Sequence, residues 1–288
     1  KKMKVKLLVL LLIISLFFCG CVKDQVRGSK DPLLKESKST ALYPASDLEN
    51  SGNWALKEDM SDEFEGDIID AAKWLVQGTD GKYKYWKGRN PSQFVPENAI
   101  VEDGKLKLRT KWEPEYDFAE GHYIYTTAAV ISQKTTKYGY MEIKCKAADV
   151  SFTSSFWATG PKSELDIFEF VGDSKVREDF DTLYEFCIHN RNLQDWQNEF
   201  WKENVSLPWR VASGFHIYGC EWDENGLKFF ADGELVKSAS KESIGKFWCL
   251  TEEMNIWMDS EAFIWHGFPD KDELPADYEI EYIRVWQK

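Results

Sequence analysis

The chain has 288 residues, room for one large β domain or two smaller domains, and its 43% hydrophobic and 30% charged residues describe a globular chain rather than a disordered one. With 36 Lys and Arg against 49 Asp and Glu the formal net charge is −13, which argues against nucleic acid, whose phosphates call for a basic face. The 13 Trp, 12 Tyr and 18 Phe either fill a β core or offer flat apolar faces to an uncharged ligand such as a sugar ring, and composition leaves both open.

The N-terminus reads as a targeting segment. KKMKVK carries four lysines and precedes an apolar run of 12 residues from Leu7 to Phe18, a signal-peptide length that falls short of the roughly 20 residues a bilayer span needs. The following FCGCVKD places Cys21 behind Gly20 and resembles a bacterial lipobox, with Phe18 where Leu is commoner. That resemblance implies a signal peptide over 1–20 and lipidation of Cys21. The only membrane contact would then be a lipid anchor, on the outer membrane or surface of a bacterial envelope. A plain secretory peptide cut nearby is the alternative. Residues 21–50 are polar, show no sustained apolar period and read as a tether.

From 51 to 288 the chain shows no second linker and no internal repeat. It runs as short alternating segments: LKLRT, VISQ, YMEIKCKA, SSFWA, ELDIFEF, LYEFCIH, FHIYGCEW, LKFFA, ELVKSA, MNIWM and YEIEYIRVWQ. Asn225-Gly226 and Asp232-Gly233 sit between apolar runs and are strong hairpin signals. This pattern predicts a single all-β domain, a two-sheet antiparallel sandwich, with helix only in short connections. Cys145, Cys187, Cys220 and Cys249 lie in apolar, strand-like stretches, so buried free thiols are expected over any of the three possible disulfide pairings. No C-x-x-C and no H-E-x-x-H occurs, which argues against a zinc enzyme.

One segment carries chemistry. In Ser163-Glu164-Leu165-Asp166-Ile167-Phe168-Glu169-Phe170 the alternation puts Glu164 and Asp166 on one face and Leu165 and Ile167 on the other. Strict alternation would turn Glu169 the wrong way. A β-bulge between Asp166 and Glu169 restores its facing and lines up three carboxylates. The outer Cα atoms then stand about 13 Å apart, and two glutamates leaning inward close to the roughly 5–5.5 Å between carboxyls that a retaining glycosidase uses. Three like charges cannot all ionise freely, so at least one pKa rises. One carboxyl can then attack as an anion while another donates a proton. A solvated polar strand face is the plain alternative. Against it, Phe156, Trp157, Leu165, Ile167, Phe168 and Phe170 are the neighbours of a central strand.

The E-x-D-x-x-E row, with DEFEGD, YTTAAVISQ, YGYMEIKCKA and SFWATG before it and FHIYGCEWDENGLKFFADGELV and YEIEYIRVWQ after it, resembles glycoside hydrolase family 16 over roughly Asp62 to Trp286. The resemblance implies a concanavalin A-like jelly-roll sandwich, with Glu164 as nucleophile, Glu169 as general acid/base and Asp166 as the residue that tunes them. It further implies that Trp157 lines the sugar site and that His189 faces the cleft. No cofactor is required, and the partner is a polysaccharide acted on by a monomer. Relatives often hold a structural calcium through an acidic residue of the last strand, which points to Glu281, although Asp is usual there. Relatives cutting β-1,3-glucan carry an arginine after YTS-small, where this chain reads Tyr125-Thr126-Thr127-Ala128-Ala129, and their late Gly-Gly-x-Trp-Pro-Gly is replaced by MNIWMDSEAFIWHGFPD. Together with YWKGRNPSQFVPEN this looks more like the branch acting on red-algal galactans, with Trp86, Arg89 and Glu261 as candidate substrate contacts. A glycan-binding protein without turnover and a transglycosylase are the rival readings.

Overall fold

The computed structural model describes residues 42–288; the expected signal peptide, Cys21 and most of the expected tether lie outside them. The strands in chain order are β1 (Ala55–Leu56), β2 (Trp74–Val76), β3 (Ser92–Phe94), β4 (Ala99–Glu102), β5 (Lys105–Trp112), β6 (Tyr125–Thr127), β7 (Ala129–Ser132), β8 (Gly139–Lys146), β9 (Ser154–Thr159), β10 (Ser163–Phe170), β11 (Leu183–Asn190), β12 (Trp201–Ser206), β13 (His216–Trp222), β14 (Gly226–Ala231), β15 (Glu234–Ser240), β16 (Asn255–Asp259) and β17 (Ala276–Gln287). Among the described residues the one α-helix, Lys241–Ile244, is four residues long, in line with the expected all-β class.

Two sheets form the sandwich. One runs β15-β14-β13-β8-β17-β5-β6-β3, with β1 on β17 and β4 on β5; the other runs β12-β11-β10-β9-β16-β7-β2. The antiparallel expectation fails at one place, because β3 and β6 pair in parallel. Two-fold alternation decides what each strand buries. In β5, Leu106, Leu108 and Thr110 point inward, while Lys105 and Arg109 point outward and pair with Glu279 and Asp277 of β17. At the turn between β14 and β15, Asp232 and Gly233 both take positive φ, +48° and +82°, as a tight two-residue hairpin demands. The strand β12 escapes the sequence reading because WKENVS carries no buried residue. It is a sheet edge, and its charged side chains guard it against further pairing.

Residues 42–50, expected as the end of the tether, instead pack on the domain. Trp286 Nε1 donates to the Leu42 carbonyl at 2.9 Å, and the Ala45 amide donates to Glu142 at 2.8 Å. This polar stretch is held by hydrogen bonds rather than by an apolar face, so hydrophobic periodicity gives no sign of it. Cys145, Cys187, Cys220 and Cys249 are buried free thiols, as expected.

Glu281, the expected calcium residue, sits at a register shift of β17 and pairs with Lys144 of β8. A dication there would have to displace an ammonium. Among the described residues no group of three His, Cys, Asp and Glu ligands gathers around Glu281.

Candidate active site

The central strand β10 runs between β9 and β11 in the second sheet. Its register against β9 shifts between Asp166 and Phe168, leaving Ile167 as the extra residue of a β-bulge. On the β9 side Glu164, Asp166 and Glu169 then stand opposite Thr159, Trp157 and Ser155. Those three partners alternate along a regular strand, so the carboxylates share one face, with the outer pair about 13 Å apart at the backbone. Phe168 and Phe170 point the other way, stacked 4.0 Å apart in the core.

That face is the floor of a cleft of about 790 Å³. The three carboxylates, Trp157, His189, Trp86, Arg89 and Glu261 all line it, so among the described residues the structure brings every sequence-predicted site residue together except Glu281. One wall carries Trp86 and Trp157, both packed on the buried Trp257. Trp86 lies 4.9 Å from Trp257 at an interplanar angle of 8°, and Trp157 lies 4.8 Å from Trp257 at 25°. Each outer indole is fixed by an acid: Trp86 Nε1 donates to Glu261 and Trp157 Nε1 to Asp259, both at 2.8 Å. Arg89 lies 3.5 Å from Glu261 and spreads its guanidinium over Phe263, 4.6 Å from the ring centre.

The other side of β10 supplies cations. Glu164 and Asp166 pair in register with His189 and Cys187 of β11. His189 Nε2 lies 3.4 Å from Asp166 and 3.9 Å from Glu164. Arg191, two residues further on, donates to Glu164, to Thr159 Oγ1 at 2.7 Å and to the Gly160 carbonyl at 2.8 Å. Among the described residues no cation lies within 4.0 Å of Glu169.

The charges respond accordingly. Burial pushes Glu164 up to about 7, with Asp166 adding to the shift and Arg191 and His189 opposing it. Burial together with Asp166, Glu164 and Asp259 holds Glu169 well above the ordinary glutamate range. Burial opposes the charge of His189, but Asp166 and Glu164 outweigh it and raise its pKa. Burial and Glu261 push Asp259 to about 8.

Three features of the site escape the sequence reading. Trp257 and Asp259 alternate with Glu261 in W-x-D-x-E, a period-two signal that points all three to one face. Arg191 continues the alternation of Cys187 and His189. Its bond to Glu164, however, depends on a neighbour 27 residues away.

The family model for the GH16 domain of β-porphyranases A–D matches residues 54–288. The chain belongs to this glycoside hydrolase family. It is similar to β-porphyranase E of Zobellia galactanivorans, 28% identical over 246 residues that make up 78% of this chain and 83% of that protein. The crystal structure of porphyranase B from the same organism superposes with a TM-score of 0.69 at 28% identity, covering 81% of this chain and 92% of that one. The laminarinase catalytic domain of Thermotoga maritima superposes almost as well, with a TM-score of 0.68 at 25% identity over 82% of this chain and 98% of its own. The porphyranase-family domain is thus an endo-glycanase on the jelly-roll sandwich. Similar TM-scores for enzymes named for different polymers show that the scaffold does not choose the substrate.

Proposed function

We propose that this hydrolase cleaves internal β-linkages of a porphyran-type red-algal galactan with retention of configuration. In this reading Glu164 is the nucleophile and Glu169 the general acid/base. The observation that carries the roles is the one-sided placement of cations: Arg191 and His189 face Glu164, while Glu169 has no such partner. Glu164 is therefore the carboxyl that ionises more readily of the two, and Glu169 the one that keeps its proton.

In the first step a lone pair of Glu164 forms a bond to the anomeric carbon as the glycosidic C–O bond breaks, and the Glu169 proton passes to the departing oxygen. In the second, water attacks the same carbon, gives its proton to Glu169 and expels Glu164. Asp166 lies between them, 3.4 Å from His189 Nε2, and steadies the nucleophile. Trp86 and Trp157, backed by the buried Trp257, line the cleft and offer apolar ring surface to the C–H faces of sugar rings. The reaction needs water and the two carboxyls, and no cofactor.

The galactan reading is supported by the family match and by the departures from the glucanase pattern at Tyr125–Ala129 and in the late Met254–Asp270 stretch. We further place the enzyme as a monomer on a bacterial envelope, anchored through lipid on Cys21; the four lysines and the apolar run to Phe18 support this. Incubation with porphyran, agarose, κ-carrageenan, laminarin and lichenan, with Glu164→Gln as control, tests the substrate. Oligosaccharides from porphyran alone are expected, and release from laminarin alone would overturn the galactan reading.

A further inference from the structure

Asp166, Cys187 and His189 form a mixed oxygen, sulfur and nitrogen ligand set on the floor of the cleft. Cys187 and His189 are two residues apart on β11 and so face the same way, and Asp166 is the cross-strand partner of Cys187. Cys187 Sγ lies 3.3 Å from His189 Nε2, which lies 3.4 Å from Asp166 Oδ2. All three donor atoms fall within 4.8 Å of one another. Tetrahedral zinc, with bonds of about 2.0–2.3 Å, spaces its ligand atoms about 3.3–3.8 Å apart, which the two spacings at His189 Nε2 already match. The second ring nitrogen, Nδ1, lies 3.5 Å from the Trp196 carbonyl, the kind of partner that fixes a histidine tautomer and leaves Nε2 for a metal. All three side chains line the open cleft, and Glu164 borders the remaining position.

We propose that this triad is an inhibitory site for a thiophilic divalent cation, Zn2+ or Cd2+. The sulfur donor selects such ions over Mg2+ and Ca2+, which take oxygen ligands. Binding replaces the S–H bond of Cys187 and the Nε2–H bond of the protonated His189 with bonds to the metal and releases both protons to solvent; nothing is oxidised or reduced. The ion draws Asp166 and His189 away from Glu164, so turnover stops while it is bound. The inference rests on the proposed hydrolase mechanism only for this effect on turnover; the ligand geometry is independent of it.

Cadmium titration of the purified protein, followed by the ultraviolet thiolate-to-cadmium charge-transfer absorption, tests the site directly. The band is expected in the unaltered protein and in Cys249→Ser, and lost in Cys187→Ser and Cys187→Ala. Zn2+ should raise the melting temperature of the unaltered protein, as a ligand of the native state does. The same scans show whether each variant is folded. Hydrolysis should be inhibited by Zn2+ and restored by EDTA. The half-inhibiting concentration should rise at least about tenfold in Cys187→Ser, each protein being compared with its own metal-free rate. No band in the unaltered protein, or a band and inhibition unchanged in folded Cys187→Ser, overturns the proposal. A Cys187-dependent band in a protein that cuts none of the polymers keeps the metal site and removes the mechanism instead.

Discussion

Arg191 binds Glu164 across the β10–β11 pair while its other donors are tied to Thr159 and the Gly160 carbonyl at the end of β9. The guanidinium is therefore anchored at one end and presents its charge to a single carboxylate. Of the two glutamates in the row, only Glu164 has this support, and this separates an attacking anion from a proton donor on one strand.

Replacing Arg191 with Met removes the largest cation acting on Glu164. Glu164 must be ionised to attack, so raising its pKa moves the acid limb of the kcat/KM profile toward higher pH. A displacement of roughly one unit or more is expected from the loss of a neighbouring guanidinium. Arg191→Lys should recover part of it, since the charge remains but the fork is lost. A pH–rate profile of Arg191→Met that superposes on the unaltered one would remove Arg191 from this role.

The two glutamates should fail differently. Glu164→Gln has no nucleophile and should lose turnover by several orders of magnitude on every substrate. Glu169→Gln should lose the polymer reaction yet still release a phenol from an aryl glycoside whose leaving group departs without a proton. A burst of phenol followed by slow turnover would show the glycosyl-enzyme accumulating. Equal loss on both substrate types in Glu169→Gln would exchange or abolish the assigned roles.

Function at Glu169 opposes stability. A carboxyl whose folded pKa lies above its unfolded value binds more protons folded than unfolded between the two, so it weakens the fold as pH rises through that window. Glu169→Gln removes the effect. Its melting temperature should exceed that of the unaltered protein at pH 8 and approach it near pH 4, where the carboxyl is protonated in both states. For a domain of this size each 1 kcal/mol reads as about 2–4 °C in thermal scans. A melting temperature lower at pH 8 than the unaltered protein's would contradict the buried-charge account.

Trp86 stacks on Trp257 and also satisfies Glu261. Trp86→Phe keeps a ring but leaves a buried carboxylate oxygen of Glu261 without its donor, at a cost of about 1–3 kcal/mol. Trp86→Ala removes the platform as well. KM should rise in both, more in the alanine variant, with kcat changing less than KM, because the one polar hydrogen of Trp86 is already given to Glu261 and the ring has no proton to exchange with the substrate. Initial-rate kinetics on the polymer decide it, and a change in kcat alone would place Trp86 in the chemistry instead.

Local alternation made much of this legible in the sequence. Half-buried strands such as β5 and the carboxylate row follow from a period of two, the hairpin at Asp232-Gly233 from its turn residues, and the bulge from one residue too many between Asp166 and Glu169. The same reading missed β1–β4 and β6, which are two to four residues long, β12, whose Trp201 and Val205 are only half-buried against the core, and residues 42–50, which are held by hydrogen bonds. None of them leaves a sustained apolar pattern.

The sequence by itself determined the all-β class, the one strand that carries chemistry and the side to which its three acids turn, because side-chain facing along a strand is set by the nearest neighbours in the chain. The tertiary structure decided which acid meets Arg191, which indoles stack into a wall, and that Asp166 comes to stand beside Cys187 and His189. Those are matters of register between strands, and register is fixed by packing among residues far apart in the chain.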